Sequence, residues 1–329
     1  ALMQVRMVPF DSRADRLYRI VRQSAKELGK RVNLDIRGGR IEIDRSVLER
    51  MTAPLEHLLR NAIAHGIETP EVRREQGKDE TGQLTITVSH EANEILLVMA
   101  DDGKGLNYEA ILARARARGL LEEGETPDTK RLTNMIFVPG FSTAESVSQV
   151  SGRGVGMDVV KSETAAVGGR IDVASTPQQG TEFRIYLPLT LAVTQAVLVR
   201  AGQHTYAIPS SMVAQVMELK EAQLQTLREQ GGIDWNNERF NYRYLPRLLG
   251  DMETQPEPQR FNWVLLLRAG AQTLALHVDS LRGNQEIVVK NAGPQLVRII
   301  GITGATVLGD GEIVLILNPV ALASRYLDR

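Results

Sequence analysis

The chain contains no cysteine. Disulfides and thiolate metal sites are therefore excluded, and the composition is that expected of a cytoplasmic protein. An excess of charge is missing as well: 39 basic and 40 acidic side chains leave a formal net charge of −1 over 329 residues. With no sequence-wide field to draw the chain to nucleic acid or an anionic membrane surface, any anion must be bound by a local device. Long hydrophobic runs are absent. The most apolar pieces, residues 95–100 and 189–199, are strand-sized or interrupted by Thr and Gln, short of the ~18 residues that read as a membrane span, so no membrane insertion is expected. The start, Ala1 to Phe10, shows neither an initiator methionine nor a charged n-region with a cleavage site. It reads as the last turns of a helix broken at Pro9, and the chain is expected to be a fragment of a longer protein.

What is present begins with His57-Leu-Leu-Arg-Asn61-Ala-Ile-Ala-His65-Gly-Ile-Glu68. His57, Asn61 and His65 recur every four residues, with Glu68 a turn further, so they are expected to line one helical face while Leu55, Leu58, Leu59, Ala62 and Ile63 pack the opposite one. His57 and His65 lie about 12 Å apart along such a helix, too far to share a zinc ion. Asn61 offers a hard amide oxygen suited to Mg²⁺. The preceding Asp44 is placed to cap this helix, and Pro54 falls inside it.

Upstream, the spacing of Leu17, Ile20, Val21, Ala25 and Leu28 predicts a helix stopped at Gly29, followed by a hairpin of residues 32–36 and 41–43 turned at Gly38-Gly39. Downstream, strands over 83–89 and 94–100 run into Asp101-Asp-Gly103-Lys-Gly105. A carboxylate at a strand end can accept from a ligand's amino group while the glycines let the backbone approach. A helix over 108–118, a polar loop and a short helix lead to Phe137-Val-Pro-Gly-Phe141-Ser142-Thr143. Gly152-Arg153-Gly154-Val155-Gly156-Met157 then opens a helix, a natural phosphate cradle. It is not a Walker loop, since no Gly-Lys-Ser/Thr follows, and Met157 stands where the dinucleotide fingerprint needs Gly. Gly180-Thr181 opens a last strand.

These motifs, in this order, resemble those of the GHKL ATPases and, within them, the kinase core of CheA-type chemotaxis histidine kinases. The stretch from His57 to Glu68 resembles the N box, Asp101-x-Gly103-x-Gly105 the G1 box, Phe137 to Phe141 the F box, Gly152 to Gly156 the G2 box and Gly180-Thr181 the G3 region. The resemblance implies an α+β chain: a Bergerat-type α/β sandwich over about 12–189, preceded by the remnant of a dimerisation helix over 1–11 and followed by a second domain over 190–329. It implies ATP and Mg²⁺ as cofactors, with Asn61 carrying the metal, Asp101 recognising the adenine amino group and Thr181 beside the base. His65 and the amides of Gly152 to Gly156 would serve the phosphates under a lid between about Ala113 and Gly156, with Phe137, Phe141, Ser142, Thr143 and Met157 in its frame. His57 stands where hydrolysing members keep a water-activating glutamate. Glu56 is about 100° away around the helix, so phosphoryl transfer is favoured over hydrolysis. The family often has an acid where Ala64 stands.

The second half alternates as short strands, at 196–200, 205–208, 264–268, 273–276, 286–289 and 313–317. Arg200-Ala-Gly-x-x-Thr-x-Ala recurs from Arg268, an internal repeat of one strand–turn–strand unit. With Gly301-Ile-Thr-Gly to Gly311 it resembles the CheW-like domain, a double SH3-like barrel, implying docking of CheW-like adaptors and chemoreceptor tips. His204 and His277 read as packed or surface residues, and 218–259 as a long charged loop. Similarity at residues 6–11 and elsewhere points to the ChpA/PilL-like branch that controls type IV pili and twitching. No phosphoacceptor histidine or receiver is evident. The expected role is therefore phosphorylation of a separate histidine phosphotransfer domain in trans, upstream of response regulators, by a kinase that is a homodimer at full length and is recruited to membrane receptor arrays. A hydrolysing ATPase and a catalytically weak scaffold are the rival readings.

Overall fold

The computed structural model describes residues 6–141, 156–290 and 301–324. The chain divides into two compact units, Ala1–Leu191 with Gly309–Gly311 and Ala192–Leu308 with Glu312–Arg329.

In the first unit β1 (Met7–Pro9), α1 (Ala14–Glu27), β2 (Val32–Arg37), β3 (Glu42–Asp44), α2 (Arg45–Asn61) and α3 (Pro70–Glu75) lead to β4 (Gly82–Glu91) and β5 (Glu94–Asp101). Then come α4 (Tyr108–Ala117), α5 (Thr129–Asn134), α6 (Met157–Ala166), β6 (Arg170–Thr176) and β7 (Gly180–Pro188). The sheet order is β2-β4-β5-β7-β6, with β2 parallel to β4 and the other pairs antiparallel. Alternation gives it one dry face: Leu84, Ile86, Ile95, Leu97, Ile185 and Leu187 are buried together with Leu17, Leu55, Leu59 and Val160 from the helices. The helices thus cover one side of the sheet, the layer arrangement that period-2 strands and amphipathic helices require. Asp44 caps α2, its carboxylate accepting from the N–H of Ser46 at 2.8 Å and of Val47 at 3.3 Å.

Three expectations are corrected. Residues 32–43 form no hairpin: β3 pairs with β1, and β2 with β4. The backbone groups that would have closed the turn are occupied, since Phe10 and Asp11 donate to the carbonyls of Ile41 and Gly39. Correspondingly, residues 7–9 are strand and not the end of a helix; Pro9 biases its predecessor toward extended backbone, and β3 offers it a partner. Residues 1–5 lie outside the described residues. Finally, α2 ends at Asn61 and continues as one π-helical turn, Ala62–Gly66, after which Ile67 is extended. The wider turn takes Glu68 off the helical stripe.

The second unit contains β8 (Val193–Ala201), β9 (His204–Pro209), β10 (Val213–Leu219), α7 (Glu221–Glu229), β11 (Gly232–Trp235), β12 (Glu238–Tyr244) and α8 (Leu245–Leu248). It continues with β13 (Asn262–Ala269), β14 (Gln272–Val278), β15 (Ser280–Val288), β16 (Ile302–Val307), β17 (Ile313–Leu317) and α9 (Pro319–Ser324). Its two sheets, β10-β13-β14-β12-β11 and β15-β8-β9-β17-β16, correspond strand for strand. In each, a central hairpin turns at a glycine with φ of 61°, Gly202 or Gly270, and takes a parallel neighbour, β17 on β9 or β12 on β14. The repeated Arg-Ala-Gly-x-x-Thr-x-Ala is this hairpin. Residues 218–259 are not an extended loop: α7 anchors Leu224 and Leu227 in a core with Phe240, and β11–β12 is a hairpin closed by Asn236 and Asn237, both at positive φ. His204 is exposed and His277 buried, its Nδ1 2.8 Å from the Tyr242 hydroxyl and its pKa pushed down to about 4 by burial. Among the described residues, no helix is long and apolar enough to cross a membrane.

Because Asp44 satisfies two orphan N–H groups of the longest helix, Asp44→Ala is expected to cost about 1 kcal/mol, read as a lower midpoint in urea unfolding.

Candidate functional site

The end of α2 and the end of β5 meet. The N–H of Lys104 donates to the Gly66 carbonyl at 2.9 Å, which holds the loop after β5 against the π-helical turn. Two glycines make this approach possible. A Cβ at Gly103 would stand 2.2 Å from the Gly66 oxygen, and one at Gly180 1.8 Å from the Asp101 carbonyl. Neither position tolerates a side chain without moving backbone.

Asp101 lies at the centre of this junction. Its Oδ1 accepts from the Gly103 N–H at 2.8 Å, and the Thr181 N–H also donates to the carboxylate. Burial nevertheless dominates and, aided by the neighbouring charges of Asp102 and Glu68, pushes its pKa up to about 6. The Thr181 hydroxyl is 3.1 Å from that of Ser175, which also accepts from the Leu106 N–H at 2.8 Å. Ser175 thereby ties the loop of Gly103 and Gly105 to β6 and β7.

On α2, Asn61 Nδ2 is 3.3 Å from His57 Nε2 and 3.3 Å from the Met157 sulfur at the start of α6. His57 is a weaker base than usual, through burial first and then Arg60 and His65, against an opposing contribution from Asp158. His65 lies at the surface, yet partial loss of water around its ring, with Lys104 and Lys30, lowers its pKa. Glu56 is turned elsewhere, paired with Arg16 and Arg60. Lys30 reaches the π turn from beyond α1, its ammonium donating to the carbonyls of Ile63 at 2.7 Å and Ala64 at 3.1 Å. Cations are favoured at such a C-terminus, and burial followed by Lys104 lowers the Lys30 pKa.

The structure therefore gathers two sets of the residues singled out from sequence. Asp101, Gly103, Gly105 and Thr181 form one, and His57, Asn61 and Met157 the other. Gly156 is the N-cap of α6. Phe137 and Phe141 are packed in the core cluster, with Lys161 over the first ring and Arg114 and Arg118 over the second. Ser142, Thr143, Gly152, Arg153, Gly154 and Val155 lie outside the described residues. Sequence reasoning missed Lys30 and Ser175, and also Arg73 and Lys78, whose side chains bond Glu68 and the Asp102–Gly103 segment. No periodicity signals these residues, because each acts on a segment distant in the chain.

Comparison with known proteins agrees with this geometry. Residues 50–191 match the family described as histidine kinase-, DNA gyrase B-, and HSP90-like ATPase, and residues 195–326 match the CheW-like domain. The chain is 38% identical over 323 residues to the chemotaxis protein CheA of Bacillus subtilis, covering 98% of this chain and 48% of that protein. It is 39% identical over 328 residues to CheA of Treponema pallidum (100% and 40%). To the sensor histidine kinase CheAY of Helicobacter pylori it is 37% identical over 324 residues (98% and 40%). The chain thus spans about half or less of the length of these relatives. A GHKL-type ATPase domain followed by a CheW-like domain defines its class. Over nearly its whole length the chain is similar to the CheA chemotaxis proteins, of which it spans this two-domain part.

The Asp101 pKa of about 6 stands above the unfolded value of 3.8. Its favourable contribution to the fold is complete below about pH 3.8 and is lost as pH rises through about 6, so the ionised carboxylate destabilises the neutral-pH protein. Asp101→Asn, which keeps an oxygen for the Gly103 N–H, is expected to raise unfolding stability at pH 7 by up to about 3 kcal/mol. The gain should vanish near pH 4, and urea titrations at the two pH values measure the difference.

Proposed function

We propose that this chain is the nucleotide-binding and docking core of a CheA-type histidine kinase. In this reading residues 12–189 bind Mg-ATP and pass its γ-phosphoryl to a histidine on a phosphotransfer domain outside the chain. The observation that carries the reading is the half-buried Asp101 carboxylate at the junction of the π turn and β5, which glycine at 66 lets the backbone approach, since a Cβ there would lie 3.3 Å from it. A half-buried acceptor flanked by glycine backbone suits the amino group of adenine, with Thr181 alongside the base.

The side chains present fit the cofactor. Asn61 offers its amide oxygen as a hard ligand, on the same helix face as His57. Bound Mg²⁺ would neutralise charge on the phosphates and fix their geometry. His65 and Gly156, with Gly152, Arg153, Gly154 and Val155, would hold the phosphate oxygens, and the frame of Phe137, Phe141, Ser142, Thr143 and Met157 would bound the site. His57 occupies the place of a water-activating glutamate, and Glu56 is engaged by arginines on another side of the helix. Catalysis would then rest on positioning an incoming imidazole, which favours kinase over hydrolase.

Residues 190–329 would dock a CheW-like adaptor and chemoreceptor tips. The full-length protein would be a cytoplasmic homodimer at receptor arrays that feeds response regulators, in the branch controlling type IV pili and twitching.

With γ-labelled ATP, Mg²⁺ and a separate histidine phosphotransfer domain, label is expected on the acceptor histidine, with little phosphate release when the acceptor is omitted. Asn61→Ala should lower transfer on the order of 100-fold, and Asp101→Ala should abolish nucleotide binding measured by calorimetry. Absence of transfer would overturn the kinase reading, and rapid acceptor-independent release would make the chain a hydrolase.

A further inference from the structure

Arg73 is the largest fully buried side chain among the described residues, at 1% exposure. Its Nη1 donates to Glu68 Oε1 at 3.0 Å and to the Asp102 carbonyl at 3.3 Å, its Nη2 to Asp102 Oδ2 at 2.9 Å, and its Nε to the Asp79 carbonyl. Lys78 completes the group: its ammonium reaches Glu68 Oε2 at 2.7 Å, the Asp102 carbonyl at 3.0 Å and the Gly103 carbonyl at 3.0 Å. Asp102 Oδ1 in turn accepts from the Gln83 N–H at 2.9 Å. Two cations from α3 and the loop after it thus grip both a carboxylate beyond the π turn and the backbone that immediately follows Asp101.

Stability alone is a poor reason for such a cluster. Removing ions from water costs so much that replacing a buried ionic group with apolar side chains is often neutral or stabilising. What the cluster does have is position. It holds the carbonyls of Asp102 and Gly103, and the Gly103 N–H is one of the two backbone donors to Asp101. It also sets the charge around Asp101. The charges that act on that carboxylate are Asp102 from its own loop and Glu68 from beyond the π turn; Arg73 pairs with both of them and Lys78 with Glu68. Around this group Lys30 and Lys104 lie near His65, and Lys30 near Glu68, while β7 brings the Thr181 N–H and, next to it, Glu182 paired with Arg184. Unneutralised, Glu68 and Asp102 would oppose ionisation of Asp101.

We propose that Arg73 and Lys78 are positioning residues for adenine recognition, an ionic clamp on Glu68 and Asp102 that aims the Asp101 carboxylate and balances the charge around it. The proposal rests on the reading of Asp101 as the adenine acceptor. It adds a role for side chains that touch neither nucleotide nor metal.

The test is calorimetric binding of ADP with Mg²⁺ to the 329-residue chain between pH 5 and 8, for the parent, Lys78→Met, Asp102→Asn and Asp101→Asn. Unfolding midpoints verify that each variant folds, and the less buried Lys78 and Asp102 are chosen over Arg73 for that reason. In the parent, affinity should fall as pH drops through about 6. Lys78→Met should weaken binding at pH 8 by about tenfold and move the midpoint of the pH profile up by about half a unit or more. Asp102→Asn, which removes a negative neighbour, should move it down. Opposite shifts from two members of one cluster are not produced by general loosening of the fold. If Asp101→Asn abolishes binding but the other two variants leave affinity and midpoint at parental values, the clamp is overturned while the site stands. If the parent binds no ADP, or Asp101→Asn binds like the parent, both readings fall.

Discussion

The contact between the Gly66 carbonyl and the Lys104 N–H is the constraint on which the first unit's site depends. It joins the π turn that follows a 17-residue helix to the loop at the end of a central strand, two rigid elements that carry Asn61 and Asp101. The helix is set in depth by Leu55, Leu58 and Leu59, each at most 1% exposed, so its end cannot drift without opening the core. The strand is set by pairing on both sides with β4 and β7. A site between two such elements inherits their rigidity, which is what recognition by a single carboxylate and a single amide requires.

That rigidity has an electrostatic cost. Asp101 is held where water is scarce, and two backbone donors do not restore the solvation it gives up. The surroundings respond with arranged charge: Arg73 and Lys78 beneath, Lys30 on the carbonyls of the π turn, and Lys104 on the loop itself. Nearly balanced overall composition therefore coexists with strongly organised local fields. The second unit shows the contrasting case. Its buried His277 is kept neutral by burial, with Arg228 acting in the same direction, and is held by a tyrosine hydroxyl.

Much of this was legible beforehand, for reasons that can be traced to particular residues. Asp44 before an apolar-periodic run is a cap because an N-terminal turn has free N–H groups. Asp101 followed by spaced glycines ends a strand, since only glycine survives the approach that Gly103 makes to Gly66. The repeated hairpin of the second unit was readable because two-residue turns demand glycine at a fixed offset, as Gly202 and Gly270 show. What escaped were pairings between distant segments. The strand partner of β2 is β4 and not its neighbour in the chain, and Arg73 finds Asp102 29 residues away. The π turn after Asn61 is likewise invisible to a 3.6-residue period, which is why Glu68 seemed to belong to a helical stripe.

By itself, the sequence determined the local conformations and the chemistry available: which segments alternate, where helices start, which carboxylate is followed by spaced glycines and which amide shares a helical face with His57. Those depend on backbone sterics and periodic burial, which act over a few residues. Only the tertiary structure decided that Asp101 meets the π turn, that Arg73 and Lys78 lie beneath it, and that residues 7–9 are strand. Those outcomes depend on which surfaces close together in a common core, and on the high cost of leaving a buried charge or peptide group without a partner.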